Sequence, residues 1–537
     1  MDGLQMSITI TAPQAAAAPA ITPLSPVQMG RMLTGLGLVT WMQFYTYDAV
    51  NLVLPDIAGT FGVTRDQASW ILTVYLSALL LGVPIAIWLA GHVGHRRYIV
   101  WSAVGFAVAS VGCSLAPDLG TMLFWRAVQG FAGSGLIMWW RATIYVLVQG
   151  PARSPLMMKV SRILYLGTGL GLLMSGYITD NYDWRLIFLP NLPAAAIGIS
   201  ILLRVYPTLP VPKSSRLVGR DAIGIALIGT TLICAQIVLS RGEIDDWFAS
   251  PTIQALAWIG GAALVLFIAW QRSRSNPAPL LRLELMKDRN VIASIVLGLF
   301  AGVILSGSLY AMPEFLRTVD ANHLSATQAG QIMCVYALAA AALRPLVTMG
   351  VTRFGQRKAI AFAFAVLVPS MLLAARLMTS GTPEIYYVAP IALYAFALAP
   401  MLTSIGMGTV SRLAKEEQLD AVAIYMTFRQ FGASLGVTLV TIILDQRETL
   451  HSARLFEHLQ ATAPDVSAWL ARTTETVVAR SGQASMAARQ VALKLLGEEG
   501  SRQAATLAYA DAFYFMAMVG AVALCFVPLM TKPPVKK

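Results

Sequence analysis

The chain has 537 residues, of which 57% are hydrophobic and 12% charged, with a mean hydropathy of +0.65 and a formal net charge of +12. A soluble domain carries roughly 25% charged residues, so this composition excludes a string of water-soluble domains. The positive balance does not mark a nucleic-acid binder either, because the basic residues fall in short loops between apolar runs, which is the positive-inside pattern.

In chain order, residues 1–32 are rich in Ala, Pro and Thr. They lack the basic start and apolar core of a cleavable signal peptide, and predict a disordered cytoplasmic tail. Apolar runs of about 20 residues are long enough to cross a bilayer. They predict spanning segments near 33–55, 69–90, 98–115, 121–147, 159–179 and 185–204, then 222–240 and 252–271. Six more follow near 291–311, 327–350, 358–378, 386–408, 420–444 and 508–532. The fold class is therefore an all-α polytopic membrane protein of about fourteen transmembrane helices. Connections on the N-terminal side hold Arg96, Arg97, Arg204, Lys213, Arg272, Arg274, Arg353 and Arg357, whereas the opposite short connections hold Arg65, Arg185, Arg241, Arg317 and Arg376. That bias predicts both termini, including the tail 533–537, in the cytoplasm. Residues 445–507 then form a long outer loop in which Leu450–Leu459 and Ala484–Leu496 read as amphipathic helices. Cys113, Cys234, Cys334 and Cys525 lie far apart in apolar runs and suggest neither disulfide nor metal site. Without a Walker A, HExxH or GxSxG pattern or a metal-ligand cluster, the sequence points to neither an enzyme nor a cofactor.

Ionisable groups inside spanning segments are costly and mark candidate functional sites. Arg126, Arg141, Arg344, Arg429 and Asp48 are such groups. Trp41, Gln43, Tyr45, Tyr47, Trp139, Trp140 and Tyr145 are candidates to line a cavity for flat, apolar or cationic compounds. Arg141 lies about 60° from Arg126 in helical phase, where a second cation nearer the cytoplasm would favour substrates with an anionic group. Gln129 and Arg429 complete the candidate cavity set.

Several motifs carry a family resemblance. The stretch Ile87–Arg97, IWLAGHVGHRR, resembles the loop 2–3 motif of the major facilitator superfamily through Leu89, Ala90, Gly94, Arg96 and Arg97, with Gly91 in place of the usual Asp. Phe124–Gly135, FWRAVQGFAGSG, is similar to its segment-4 motif through Arg126, Gln129 and Gly130. In segment 5, Gly171 and Gly176 match the antiporter motif, with Leu172 for its Pro and Ser175 for a Gly. Trp184, Arg185, Phe188, Asn191 and Pro193 then resemble the fourteen-helix drug:proton antiporters, the Emr-type multidrug exporters, as do Asn276–Leu280 and Arg429-Gln430 with Gly432 and Gly436.

The resemblance implies two six-helix bundles, at 33–204 and 291–532, with two extra helices and linkers at 205–290. It implies a midplane site, alternating access and proton-driven export of drugs or toxic organic compounds across a bacterial inner membrane. The alternatives are a carrier of one specific metabolite and a membrane receptor or scaffold that no longer transports. It further implies gating or packing roles for Gly94, Arg96, Arg97, Gly130, Gly171 and Gly176, and a membrane-fusion adaptor protein docked on 445–507. Segment 1 departs from the family, whose acid lies five residues before the Asn. Here Asn51 and Pro55 match, but that position is Thr46 and the acid is Asp48. Two residues turn a helical side chain by about 200°. Asp48 and Arg126 would both lie about 7–11 Å below the outer surface, and the expectation is a salt bridge that couples protons.

Overall fold

The structure, a computed structural model, describes residues 25–531 except 148–152, 207–220, 244, 277–278, 320–323, 380, 459–463 and 482–484. Its helices are α1 (Pro26–Phe61), α2 (Arg65–Val93), α3 (His95–Ser114), α4 (Leu119–Leu147), α5 (Arg153–Asn181) and α6 (Asn191–Val205). The pair α7 (Ala222–Arg241) and α8 (Pro251–Arg272) precedes α9 (Arg289–Glu314), α10 (Ala326–Phe354), α11 (Gln356–Leu377) and α12 (Val388–Val410). The last three are α13 (Lys415–His458), α14 (Pro464–Ser481) and α15 (Ser485–Phe526). Twelve spans among the described residues are long and apolar enough to cross a membrane. Helices α1 and α4 join them in the bundle as the two that carry Asp48 and Arg126.

The first bundle packs α1 on α5 and α6, and α2 and α3 on α4. The second packs α9 on α13, α11 on α12 and α15, and α10 on α12. Helices α5 with α10, and α2 with α13, join the two halves, while α7 pairs with α8 and rests on α2 and α13. The tight turns α2–α3 and α10–α11 correspond in the two halves. Gly94 (φ +91°) precedes His95-Arg96-Arg97, and Gly355 (φ +83°) precedes Gln356-Arg357-Lys358. Left-handed backbone at both turns favours glycine.

Helix α1 starts earlier than the expected residue 33. Ser25 and Gln28 form a reciprocal capping box and Pro26 occupies the first turn, a strong local start signal. Residues 1–24 and 532–537, where the tails are expected, lie outside the described residues. The segment expected as an outer loop is helical over its described length. Helix α13 has 44 residues and α15 has 42, each about 60 Å or more at 1.5 Å per residue, twice the hydrocarbon thickness. The stretches read as separate amphipathic helices are continuations of these two, although Leu459 and Ala484 themselves lie outside the described residues. Helix α14 packs on α15 and completes a helical lobe.

Asp221 anchors the extra pair. Its carboxylate caps α7 through Gly224 N (2.7 Å) and accepts from Trp270 Nε1 (2.6 Å), Gln271 Nε2 (2.6 Å), Asn276 Nδ2 (3.1 Å) and Leu280 N (2.9 Å). Burial opposes its charge, but the donors from Leu280, Gln271, Trp270 and Asn276 outweigh that and hold the carboxyl below its usual range. The Asn276–Leu280 motif thus ties the linker to α7.

The halves are closed on the lobe side. Arg317 of α9's extension pairs with Asp56 of α1 and donates to the Leu52 carbonyl (3.1 Å). Asp180 at the end of α5 accepts from the backbone N–H groups of Ala326 (3.0 Å) and Thr327 (2.7 Å) at the start of α10. Arg65 of α2 reaches Glu448 of α13 at 3.1 Å.

Candidate functional site

A cavity of about 510 Å³ lies between the halves and reaches the terminal-side turns at Gln356, Ser411 and Gln418. Helix α1 lines it with Gln43, Tyr47 and Asp48, α4 with Trp140 and Arg141, α10 with Tyr336 and Arg344, and α13 with Tyr425 and Arg429. Within each helix these residues recur at intervals that keep one face toward the gap. Arg141 lies over the Trp140 ring (4.5 Å), and Arg344 lies over Tyr165 (5.6 Å) while donating to the Ala399 carbonyl (3.1 Å). Among the described lining residues Asp48 is the one carboxylate, against the three guanidiniums of Arg141, Arg344 and Arg429. In a site with apolar walls that excess attracts an anion far more strongly than water-exposed arginines do.

The expected salt bridge is not formed. Among the described residues no ion pair joins Asp48 to Arg126. Asp48 instead accepts a hydrogen bond from the Tyr336 hydroxyl, so its partner comes from the other half of the molecule. Arg126 is fully buried, with its guanidinium 4.0 Å over Tyr75, Nε donating to the Ile71 carbonyl (3.3 Å) and Nη1 to Gln129 Oε1 (2.5 Å). Gln129 passes on to Ser110 (2.8 Å), which Asn191 also reaches (3.0 Å) while donating to Thr46 (2.8 Å). Thr46, at the position of the family's acid, therefore points into this network inside the first bundle. The 200° turn estimated from sequence separates the two faces, and Asp48 points into the cavity.

Gln43, Tyr47, Trp140, Arg141 and Arg429 line the cavity. Four candidates, Trp41, Tyr45, Gln129 and Trp139, do not. Tyr45 donates to the Ile187 carbonyl (2.6 Å) and stacks on Trp41 (4.8 Å), and Gln129 belongs to the Arg126 network. Trp139 packs edge-on against His95 at 4.3 Å. The side chain of Tyr145 lies outside the described residues. The glycines serve close packing. A Cβ on Gly130 would stand 2.2 Å from the Tyr75 carbonyl oxygen, and one on Gly171 2.4 Å from the Tyr45 ring, both within the first bundle. A Cβ on Gly176 would stand 2.4 Å from the Ala326 carbonyl oxygen, across the two halves. Arg96 donates to the Leu203 carbonyl at the end of α6, and Arg97 is exposed. Among the described contacts the loop thus ties α3 to its own bundle rather than latching the halves. Tyr336, Tyr165 and Tyr425 went unsignalled, since a tyrosine in an apolar run shows no direction. Arg344 was detectable as an intramembrane charge, and Tyr336 lies on its face of α10.

The model of the Major Facilitator Superfamily matches residues 36–437. The chain is 28% identical over 448 residues to the multidrug export protein EmrB of Escherichia coli, covering 83% of this chain and 86% of that protein. It is 26% identical over 469 residues to the fatty acid resistance protein FarB of Neisseria gonorrhoeae, covering 84% and 88%. In structure it is similar to a bacterial homologue of the human lysosomal transporter Spinster in an inward-facing, occupied conformation (TM-score 0.59, 14% identity, 94% and 97% covered). It is likewise similar to the proton:xylose symporter XylE bound to 6-bromo-6-deoxy-D-glucose (TM-score 0.58, 14% identity, 94% and 96% covered). The two bundles, the cavity between them and the match over most of its length place this chain in the Major Facilitator Superfamily.

Proposed function

We propose that this protein is a proton-coupled exporter of amphipathic organic compounds, with a preference for those bearing an anionic group. It lies in the cytoplasmic membrane with both termini in the cytoplasm, which the basic terminal-side connections support. The observation that carries the reading is one cavity holding a buried carboxylate, bonded across the halves, together with three arginines. The carboxylate suits proton exchange, and the arginines suit a substrate anion. FarB, named for fatty acid resistance, concerns amphipaths with a single carboxylate, which agrees with that preference. Closure on the lobe side leaves the cavity facing the cytoplasm, ready to load.

Matched carboxylate and ammonium amphiphiles in proteoliposomes test the preference. Arg429→Gln is expected to raise KM for carboxylates about tenfold, since a charge-assisted contact contributes about 1.5 kcal/mol or more, and to leave ammonium compounds unchanged. Equal shifts for both classes would contradict it.

The lobe is further proposed to dock a membrane-fusion adaptor protein. Trp469 of α14, Phe456 of α13 and Met486 and Leu493 of α15 are exposed on it, and large apolar groups of this kind anchor helical partners. Trp469→Ser combined with Leu493→Ser is expected to lower resistance of cells and leave proteoliposome transport intact. Loss of both, or of neither, would reject docking.

A further inference from the structure

A second carboxylate is buried between the halves, on the side opposite Asp48's opening. Glu314 ends α9, next to Pro313 and just before a π-helical turn over Phe315–Val319. It is 4% exposed, and its Oε1 stands 3.8 Å from Arg65 Nε of α2. Its other oxygen, Oε2, has no hydrogen-bond partner. The hydroxyls of Tyr310 on its own helix and Tyr509 on α15 lie beside the same carboxylate. A buried carboxylate with one oxygen unpartnered is a costly arrangement in a membrane interior. Glu314 also lines a lobe-side cavity of about 730 Å³ with Arg65, Glu448, Glu498, Glu499 and Arg502, which gives it a route to water on that side. From α1 the neighbours there are apolar, Leu54 and Pro55, while Asp56 is engaged by Arg317.

We propose that Glu314 is a proton-binding site of the lobe-side gate, separate from Asp48 and filled from the lobe side. Ionised, it shares Arg65 with Glu448 and holds α2 of the first half to α9 and α13 of the second. A proton on Oε2 supplies an O–H that either tyrosine oxygen accepts. It cancels the attraction to Arg65 and leaves that arginine to Glu448 alone. The π-helical turn that follows places Arg317, the second cross-half cation, on the same short segment, so one protonation loosens both clasps. Low pH on the lobe side thereby favours opening toward that side. The inference rests on alternation between two states and not on any substrate.

The test uses the full-length protein in lipid nanodiscs, without substrate or gradient. Spin labels go at Tyr182→Cys and Ile385→Cys, exposed positions at the lobe-side ends of the two halves, on a Cys525→Ser background. Double electron–electron resonance reads the distance between them. Lowering the pH from 8 to 5 is expected to raise the ratio of long to short distances about fivefold or more, within the usual range of coupling between sites. Glu314→Gln is expected to show the long distance at both pH values, and Glu314→Asp, which keeps the carboxyl, to retain a pH response. Distances that do not change with pH in the unmodified chain, or a Glu314→Gln protein that titrates like it, would overturn the proposal.

Discussion

Asp48→Asn is expected to abolish uphill transport, by about 100-fold or more, while exchange without a gradient persists. The amide keeps the size of the carboxyl and its oxygen still accepts from Tyr336, so the cavity and the contact across the halves survive. What is lost is the ability to carry a proton in one state and release it in the other. General proton-transfer groups contribute typically 10²–10⁴-fold where a step depends on them. Proteoliposomes loaded with substrate, with and without an imposed pH difference, separate the two activities. Gradient-driven accumulation by Asp48→Asn at the unmodified rate would remove Asp48 from the coupling mechanism. Arg126 is given a different role by its contacts. As the centre of a network linking α2, α3 and α4 and reaching α1 through Asn191, it orders the first bundle and does not neutralise Asp48.

Gly176→Ala is expected to drive the protein out of the terminal-side-open state. The added Cβ meets the Ala326 carbonyl oxygen at 2.4 Å and Thr327 Cα at 2.9 Å. Both are backbone atoms that no rotamer change can move. Overpacking of this kind costs about 1–3 kcal/mol, or roughly a 5- to 150-fold shift between states. The contact joins α5 to α10 across the halves, so separation on the lobe side relieves it. Spin labels on the lobe side should report long distances, and transport should fall about tenfold. Gly171→Ala is the control. Its clash is with Tyr45 inside the first bundle, so it should lower stability without biasing the two states. An unshifted distance distribution in Gly176→Ala would show that α5 and α10 do not form a closing surface.

The sequence was most informative where a signal is local. Apolar runs located the spanning helices, and the segment-4 motif located Arg126 and Gln129. The two-residue displacement from Thr46 to Asp48 was visible in the sequence, but the expected pairing of Asp48 with Arg126 did not follow from it. What escaped was contact across the two halves. Tyr336 lies 288 residues from Asp48, and periodicity along one helix carries no information about which residue of another helix arrives opposite it. Depth alone placed Asp48 and Arg126 at one level, but level does not fix azimuth, and the guanidinium turns back to Tyr75 and Gln129. The continuity of the lobe with its spanning helices escaped for another reason. Residues 445–458 are polar and end the apolar run, yet contain no Gly or Pro, so α13 continues as helix after it leaves the apolar layer.

Exchange of protons for an anionic amphipath through one cavity is directly visible as proton flux. Purified protein is reconstituted into proteoliposomes holding a pH-sensitive dye, with a lumen more acidic than the medium. A carboxylate amphiphile is then added outside, with the membrane potential clamped. Substrate uptake coupled to proton exit is predicted to raise the luminal pH, with saturation in substrate, and Asp48→Asn vesicles are predicted to give no such signal. Saturable uptake of the amphiphile with no accompanying change in luminal pH would contradict proton-coupled exchange.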